Sequence, residues 1–309
     1  MVDEIKSYEE AGKIVSKVRS DASKMIKNGL PILELVEFVE SEILKSGAGI
    51  AFPCNVSINE ITAHYTSPAG DTNKMVTGDL VKLDLGAEVN GYIADSAVTI
   101  MVPGENLEEV FDEETLELNQ RIIDASAAGL EAAISTVRAG VKVCDVGRAV
   151  EEAIAEYNLN PVRNLTGHSL EHWNLHAGIS VPNYDNNDPT ILEEGQAVAI
   201  EPFATNGAGY VNDAPGHYIY SYMANKPFRM KSTQKVLNHI QHHNQYLPFS
   251  GRWITEKFGE RKGSIALKQL ADAMAIYPYA PLREKKDCFV SQKEHTVIVE
   301  KEGCTVTTL

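Results

Sequence analysis

Asp84 and Asp95 fall in the stretch DLVKLDLGAEVNGYIADSAVTIMV, residues 79–102, on opposite sides of Asn90-Gly91. A two-residue type I′ turn needs positive φ at both central positions, and Asn-Gly supplies it best, so the stretch predicts a β-hairpin. In that register Asp84 lies opposite Ala97 and Asp95 opposite Gly86, all on one face, while Val81, Leu83 and Leu85 point the other way. The two carboxylates become diagonal neighbours beside residues of little bulk. That leaves a pocket in which oxygen ligands can converge on a hard cation. The same pattern also fits the wet face of a surface hairpin, so the hairpin alone does not decide.

The nine histidines offer further constellations. His168, His172 and His176 recur every four residues, and HSLEH (168–172) matches the H-x-x-E-H pattern, which on a helix puts two imidazoles and a carboxylate on one face for a single zinc. Gly167 and Gly178 flank it and Trp173-Asn174 interrupts the helical pattern, so it also reads as a loop with partly buried histidines. His239, His242 and His243 sit in a polar helical pattern and read as a solvated face. His64 lies on the long segment AFPCNVSINEITAHYTSPAGDT, read as a strand and a loop leading to the hairpin.

The elements around these residues follow from periodicity. Residues Ser7 to Ser46 predict two helices broken at Gly29-Leu30-Pro31, the second with Leu33, Val36, Val39 and Ile43 on one apolar face. A long helical region begins near Glu113. The chain also repeats itself. MIKNGLPILELVEFVESEI (25–43) aligns on TVRAGVKVCDVGRAVEEAI (136–154), and GDLVKLD (78–84) on GQAVAIE (195–201), so Asp84 and Glu201 correspond. The two offsets differ by what one loop insertion would add, which predicts two similar helix-then-strand halves, each delivering an acid at a strand's end. FATNGAGYVNDAPGHYIYSYM after Glu201 suggests another strand pair with a glycine-rich turn. Residues 226–275 change character and read as a helical insert: Lys231 to His243 and Ser264 to Ala275 as helices around a loop with Gly251, Gly259 and Gly263. CFVSQKEHTVIVEKEGCTVTTL is a hairpin signature, with Glu294 just before a β-branched run.

With 309 residues there is room for a large core. A net charge of −15 argues against a nucleic-acid surface, since phosphate binding is driven by Lys and Arg. Cys54, Cys144, Cys288 and Cys304 are scattered without CxxC spacing, as reduced thiols in a cytosolic protein would be. The N-terminal MVDEIKSYEEAGK has neither the basic start nor the apolar core of a signal peptide, and no apolar run is long enough to span a bilayer. A soluble, cytoplasmic protein without membrane or nucleic-acid partners is expected.

Seven stretches together resemble the methionine aminopeptidases, most closely the type II class: GIAFP (49–53), AHYTSPAGDT (63–72), KLDLGAEVNGYIADSAVT (82–99), NLTGHSLEHWNLHAG (164–178), AIEPFATNGAG (199–209), YPYAPL (277–282) and KEHTVIV (293–299). The resemblance covers nearly the whole chain. It implies a pseudo-twofold "pita-bread" α/β (α+β) fold over residues 1–309, a mixed, largely antiparallel sheet flanked by helices, with 226–275 as the helical insert that separates type II from type I. It makes Asp84, Asp95, His168, Glu201 and Glu294 the ligands of two divalent ions (Co, Mn, Fe or Zn): Asp95 and Glu294 bridging, Asp84 on one ion, His168 and Glu201 on the other. Such a set suits hard to borderline metals. The resemblance also casts Glu201 as proton shuttle, His64 and His176 as contacts to the scissile region, and Phe52, His217 and Tyr279 as the methionine pocket. The implied activity is removal of the initiator methionine from nascent chains with a small second residue, by a monomer, with ribosome contact left open. The charge-rich extension of eukaryotic type II enzymes has no counterpart here, so the form looks archaeal.

Rival expectations are a proline-specific relative with a similar ligand set, a catalytically dead relative serving as a binding protein, and the single-zinc H-x-x-E-H site. The first usually carries an extra N-terminal domain, and the second would have lost ligands.

Overall fold

The computed structural model describes residues 3–104, 107 and 111–309. Asp3 caps helix α1 (Glu4–Ser23) by accepting the Lys6 N–H. Pro31, at φ −63, sets the start of α2 (Ile32–Lys45). The buried face of α2 carries Ile32, Leu35, Val36, Val39 and Ile43. Leu33, expected on that face, sits at its margin, since one residue on from Ile32 is about 100° round the helix.

That sheet is the expected hairpin plus one strand. β1 (Gly49–Ile58) is followed by the short β2 (Ile61–Ala63), and β3 (Leu80–Val89) turns into β4 (Tyr92–Met101) through Asn90 at φ 53 and Gly91 at φ 84. Asp84 faces Ala97 and Gly86 faces Asp95. β1 pairs antiparallel with β3 on its other side, with irregular register around Phe52. The apolar face, with Val81, Leu83 and Leu85, joins Val15, Leu35, Val36 and Val39 of the two helices in one core, leaving the acids on the opposite face.

The second half repeats this plan. Helices α3 (Glu113–Thr136) and α4 (Val143–Ala155) cover a five-stranded sheet in the order β17-β16-β8-β6-β7, made of β6 (Thr166–Leu170), β7 (Ser180–Pro182), β8 (Ala197–Ile200), β16 (His295–Glu300) and β17 (Gly303–Val306). Backbone bonds recur at both offsets of the internal repeat. Gly29 donates to the Met75 carbonyl at 2.8 Å and Gly140 to that of Leu192 at 2.9 Å; Ile32 donates to Asn73 at 3.0 Å and Val143 to Thr190 at 2.9 Å. Gly29 and Gly140 both hold positive φ, 80 and 86, as do Gly78 and Gly195 at 90 and 87. The halves are therefore structural equivalents, and they meet where Glu294 donates its N–H to the Ala97 carbonyl at 3.0 Å.

Smaller sheets complete the walls: β15-β9-β5, of β5 (Asn160–Pro161), β9 (Phe203–Thr205) and β15 (Val290–Gln292); β10-β14-β2, with β10 (Asn212–Asp213) and β14 (Leu282–Arg283); and β12-β11-β13, of β11 (Ile219–Tyr222), β12 (Phe249–Ser250) and β13 (Ile276–Tyr279). The strand pair expected after Glu201 does not form as a hairpin. β9, β10 and β11 each pair with remote strands, so the glycine-rich segment is a crossing between sheets.

Residues 226–275 hold three helices, α5 (Lys231–His243), α6 (Gly251–Phe258) and α7 (Glu260–Asp272), around their own apolar cluster. The loop expected between Gly251 and Gly263 is thus helical. Ser250 caps α6, Gly259 breaks the chain at φ 85, and Gly263 lies inside α7, where a Cβ would stand 2.8 Å from the Thr255 backbone. Glycine here serves close helix packing as well as interruption. The buried Arg252 ties this insert to α2 by a 2.6 Å ion pair with Glu40. Among the described residues no helix is long and apolar enough to cross a membrane.

Candidate active site

The equivalent strands of the two halves bring four acids and a histidine to one cavity. Asp84 comes from β3, Asp95 from β4, His168 from β6, while Glu201 follows β8 and Glu294 precedes β16. All five line a cavity of about 320 Å³. The His168 Nε2 stands 3.7 Å from both Asp95 Oδ2 and Glu201 Oε1. Ligand atoms of Asp95, His168 and Glu294 lie within 4.8 Å of one another, and all three residues are buried. Gly167 makes room for this strand: a Cβ there would meet the Ala199 carbonyl oxygen at 2.3 Å.

Burial pushes the Asp84 carboxyl up to about 7. Burial, reinforced by the neighbouring acids, raises Asp95, Glu201 and Glu294 well above the usual carboxylate range. Burial also drives the His168 imidazole down to about 3, so it stays neutral and offers a lone pair. Asp84 Oδ1 and Asp95 Oδ1 are buried without a hydrogen-bond partner. Acids this crowded, with oxygens left over, fit divalent cations: a cation supplies the missing partner and offsets the mutual repulsion.

His64 and His176 line the same cavity, as do Phe52 and Tyr279. His64 follows β2 with a left-handed φ of 62, and its ring meets Tyr279 edge-on at 5.7 Å. Burial first, and the His176 ring second, lower its pKa to about 4. His176 packs edge-on against His168 at 4.5 Å. His217 is not brought in. It lies exposed two residues before β11, where strand alternation has not begun, and lines a separate cavity with Tyr218 and Arg252. Ile219 takes the wall position instead.

The H-x-x-E-H expectation fails on backbone form. His168 lies in a strand, so the spacing that helps on a helix sends His172 elsewhere: its Nε2 sits 3.0 Å from the Asn90 carbonyl and its ring against Tyr92 at 5.0 Å. His239 and His243, with ring centres 4.3 Å apart, belong to α5 of the insert, outside the cavity.

Several residues were not singled out from sequence. Gln292 donates its side-chain N–H to Glu294 at 3.2 Å, Glu201 at 3.3 Å and Asp84 at 3.5 Å. Leu175, Ile219 and Pro248 add apolar wall. Gln292 had a faint signal, two residues before Glu294 at the start of a strand, where alternation puts both on one face. Pro248 and Ile219 had none, because their position depends on how the insert docks.

Residues 6–247 match metallopeptidase family M24. A methionine aminopeptidase of Methanothermobacter thermautotrophicus is 50% identical over 308 residues, covering 100% of both chains. Among solved structures, a thermophilic Arx1 superposes with a TM-score of 0.84 at 19% identity, over 99% of this chain and 91% of that one. The methionine aminopeptidase of Thermotoga maritima superposes at 0.69 and 20% identity, over 99% and 96%. The two structural likenesses carry the fold; the end-to-end sequence match carries more, and by it the chain belongs to the methionine aminopeptidases of metallopeptidase family M24.

Proposed function

We propose that Asp84, Asp95, His168, Glu201 and Glu294 hold two divalent ions at the meeting of the two halves. The enzyme is a metal-dependent hydrolase of pita-bread fold that removes N-terminal methionine. The observation that carries the assignment of ligands is the pair of buried, unpartnered oxygens on Asp84 and Asp95 within a crowd of acids. Co, Mn, Fe or Zn would suit the donor set, and when bound such ions supply Lewis acidity toward the peptide carbonyl and an acidified water.

The remaining work falls to the chain. Glu201, oriented by the Gln292 amide beside His168, takes a proton from the attacking water and returns it to the leaving amine. His64 and His176, held neutral by burial, donate hydrogen bonds to the carbonyl oxygen as it gains charge. Phe52, Leu175, Ile219, Pro248 and Tyr279 close an apolar wall around the first side chain, with aromatic ring edges suited to a thioether. The second residue sits beside His64 and His176, where bulk collides. We place the reaction in the cytoplasm on nascent N-termini, with the protein acting as a monomer.

The test is a peptide panel with metal added back after chelation, and metal content measured alongside. Met-Ala and Met-Gly starts should be cleaved, Met-Lys and Met-Trp starts hardly at all. A Leu start should be slowed by about 10- to 200-fold. Preferential release of the residue before proline would hand the site to the proline-specific class.

A further inference from the structure

One wall of the cavity runs out of it. β11 and β13 pair with Ile219 opposite Tyr279 and Ser221 opposite Tyr277, and Met223 continues the ladder by donating its N–H to the Ala275 carbonyl at 2.9 Å. Side chains alternate along a strand, so Ile219, Ser221, Met223, Tyr279 and Tyr277 share one face. Two contacts agree: the Ser221 and Tyr279 hydroxyls are 3.1 Å apart, and the Tyr277 and Tyr279 rings meet edge-on at 4.9 Å.

At its inner end this face is cavity wall, with Ile219 only 4% exposed. At its outer end Tyr277 is 52% and Met223 55% exposed, and Met274, beside Ala275, is 67% exposed. From Ile219 to Met223 the strand rises about 13 Å, the reach of about four residues of extended peptide. Clustered apolar exposure of this kind marks a contact surface. The cavity holds little beyond the first residue and part of the second, so a longer substrate has to leave along one of its walls.

We propose that the outer part of this strip, Ser221, Met223 and Tyr277, is an extended subsite that receives roughly the fourth to sixth residues of the substrate polypeptide and favours apolar side chains there. Methionine and tyrosine suit the task, because a flexible thioether and a rigid amphipathic ring adapt to varied sequences. The inference rests on the cavity taking the N-terminal residue of a peptide.

The metal-loaded protein would be assayed with Met-Ala-Ser, Met-Ala-Ser-Leu-Phe-Leu and Met-Ala-Ser-Gly-Ser-Gly. The apolar hexapeptide should exceed the other two by about tenfold in kcat/KM, mostly through KM, which corresponds to partial burial of one apolar side chain. The double substitution Tyr277→Ser with Met223→Ser should erase that gain and leave Met-Ala-Ser turnover as it was. Equal rates for the two hexapeptides, or a double variant that keeps the gain, overturn the subsite. So does a dimer in solution that the double variant dissociates, which would assign the strip to a second copy of the chain. Met-Ala-Ser does not reach the strip, so its failure to be cleaved overturns the underlying assignment of the cavity instead.

Discussion

Asp95 and Gln292 occupy equivalent places in the two halves and are clasped in the same way. Asp95 donates its backbone N–H to the Thr296 hydroxyl at 2.8 Å, which donates back to the Asp95 carbonyl at 2.9 Å. Gln292 donates to the Thr99 hydroxyl at 2.7 Å, which returns to the Gln292 carbonyl at 2.8 Å. One half thus presents an acid and the other an amide at matching positions beside the same carboxylates. Thr296→Val and Thr99→Val should each cost about 1–3 kcal/mol in denaturant unfolding, since each strands buried backbone groups. Thr296→Val should weaken metal affinity more than Thr99→Val, because it releases Asp95 itself rather than the amide that donates to three other acids. Unchanged metal affinity in Thr296→Val would remove Asp95 from the ligand set.

Gly86 lies under the Phe52 ring, where an added Cβ would come within 2.3 Å of it. The backbone there is ordinary extended strand, so Gly86→Ala should fold, displacing chiefly the ring and pressing on the Ala51 Cβ, 3.1 Å from the added atom. Steady-state assays on Met-Ala-Ser should show a loss of about tenfold in kcat/KM, taken through KM, as for a lost pocket contact. Unaltered kinetics would mean that Phe52 is not part of the methionine wall.

Asp95→Ala should abolish turnover and lower bound metal while the fold survives, since it removes repulsion along with contacts. His172→Ala should keep its metal, because His172 is spent on the Asn90 carbonyl at the hairpin tip. Metal analysis of the two purified variants decides the matter; loss of metal from His172→Ala would revive the single-zinc site.

In the chelated protein the four acids should contribute less stability as pH rises. Asp84, Asp95, Glu201 and Glu294 all have folded values above their unfolded ones, mainly from burial. The folded state then holds more protons, so the stabilisation is complete near pH 4 and fades through about 7, the Asp84 value, and beyond. Chelated wild type should lose melting temperature relative to chelated Asp84→Asn between pH 5 and pH 8, a difference from which the oppositely shifted His64, His168 and Lys82 drop out. A difference that moves in favour of wild type over this window would refute the crowding of acids as described.

Lys82 is 1% exposed and donates to the Asn59 and Val290 carbonyls, each at 2.9 Å. Lys82→Met should cost about 1–3 kcal/mol by leaving both unpaired. Burial pushes the amine down to about 7, so the folded state binds fewer protons than the unfolded one above that value. Wild type should therefore gain on the variant as pH rises from 7 toward 10 in urea unfolding. A gap that narrows instead would argue for a charged, compensated lysine.

Local chemistry made half of the site legible. Asn90-Gly91 alone placed Asp84 and Asp95 in their observed register, because a two-residue turn leaves a hairpin no freedom to slip. The repeat tied Glu201 to Asp84 through glycines whose left-handed φ recurs in both halves. What sequence hid was set by docking at long range. His217 and Ile219 are two residues apart, and which of them meets the cavity depends on where β11 begins against β12 and β13. Gly263 was read as a breaker because a contact with Thr255 leaves no mark in local pattern.

The two strand pairs that carry the acids are closed very differently. β3 and β4 are joined by a two-residue turn, whereas β8 and β16, which pair just as directly, are separated by the glycine-rich crossing and the whole insert. Closing roughly ninety residues costs more entropy than closing two and is slower to reach. An order of assembly follows. During synthesis Asp84 and Asp95 find each other early, while Glu201 waits for Glu294, so a ribosome-bound chain can offer only half of the proposed metal site until residue 294 is free to pair.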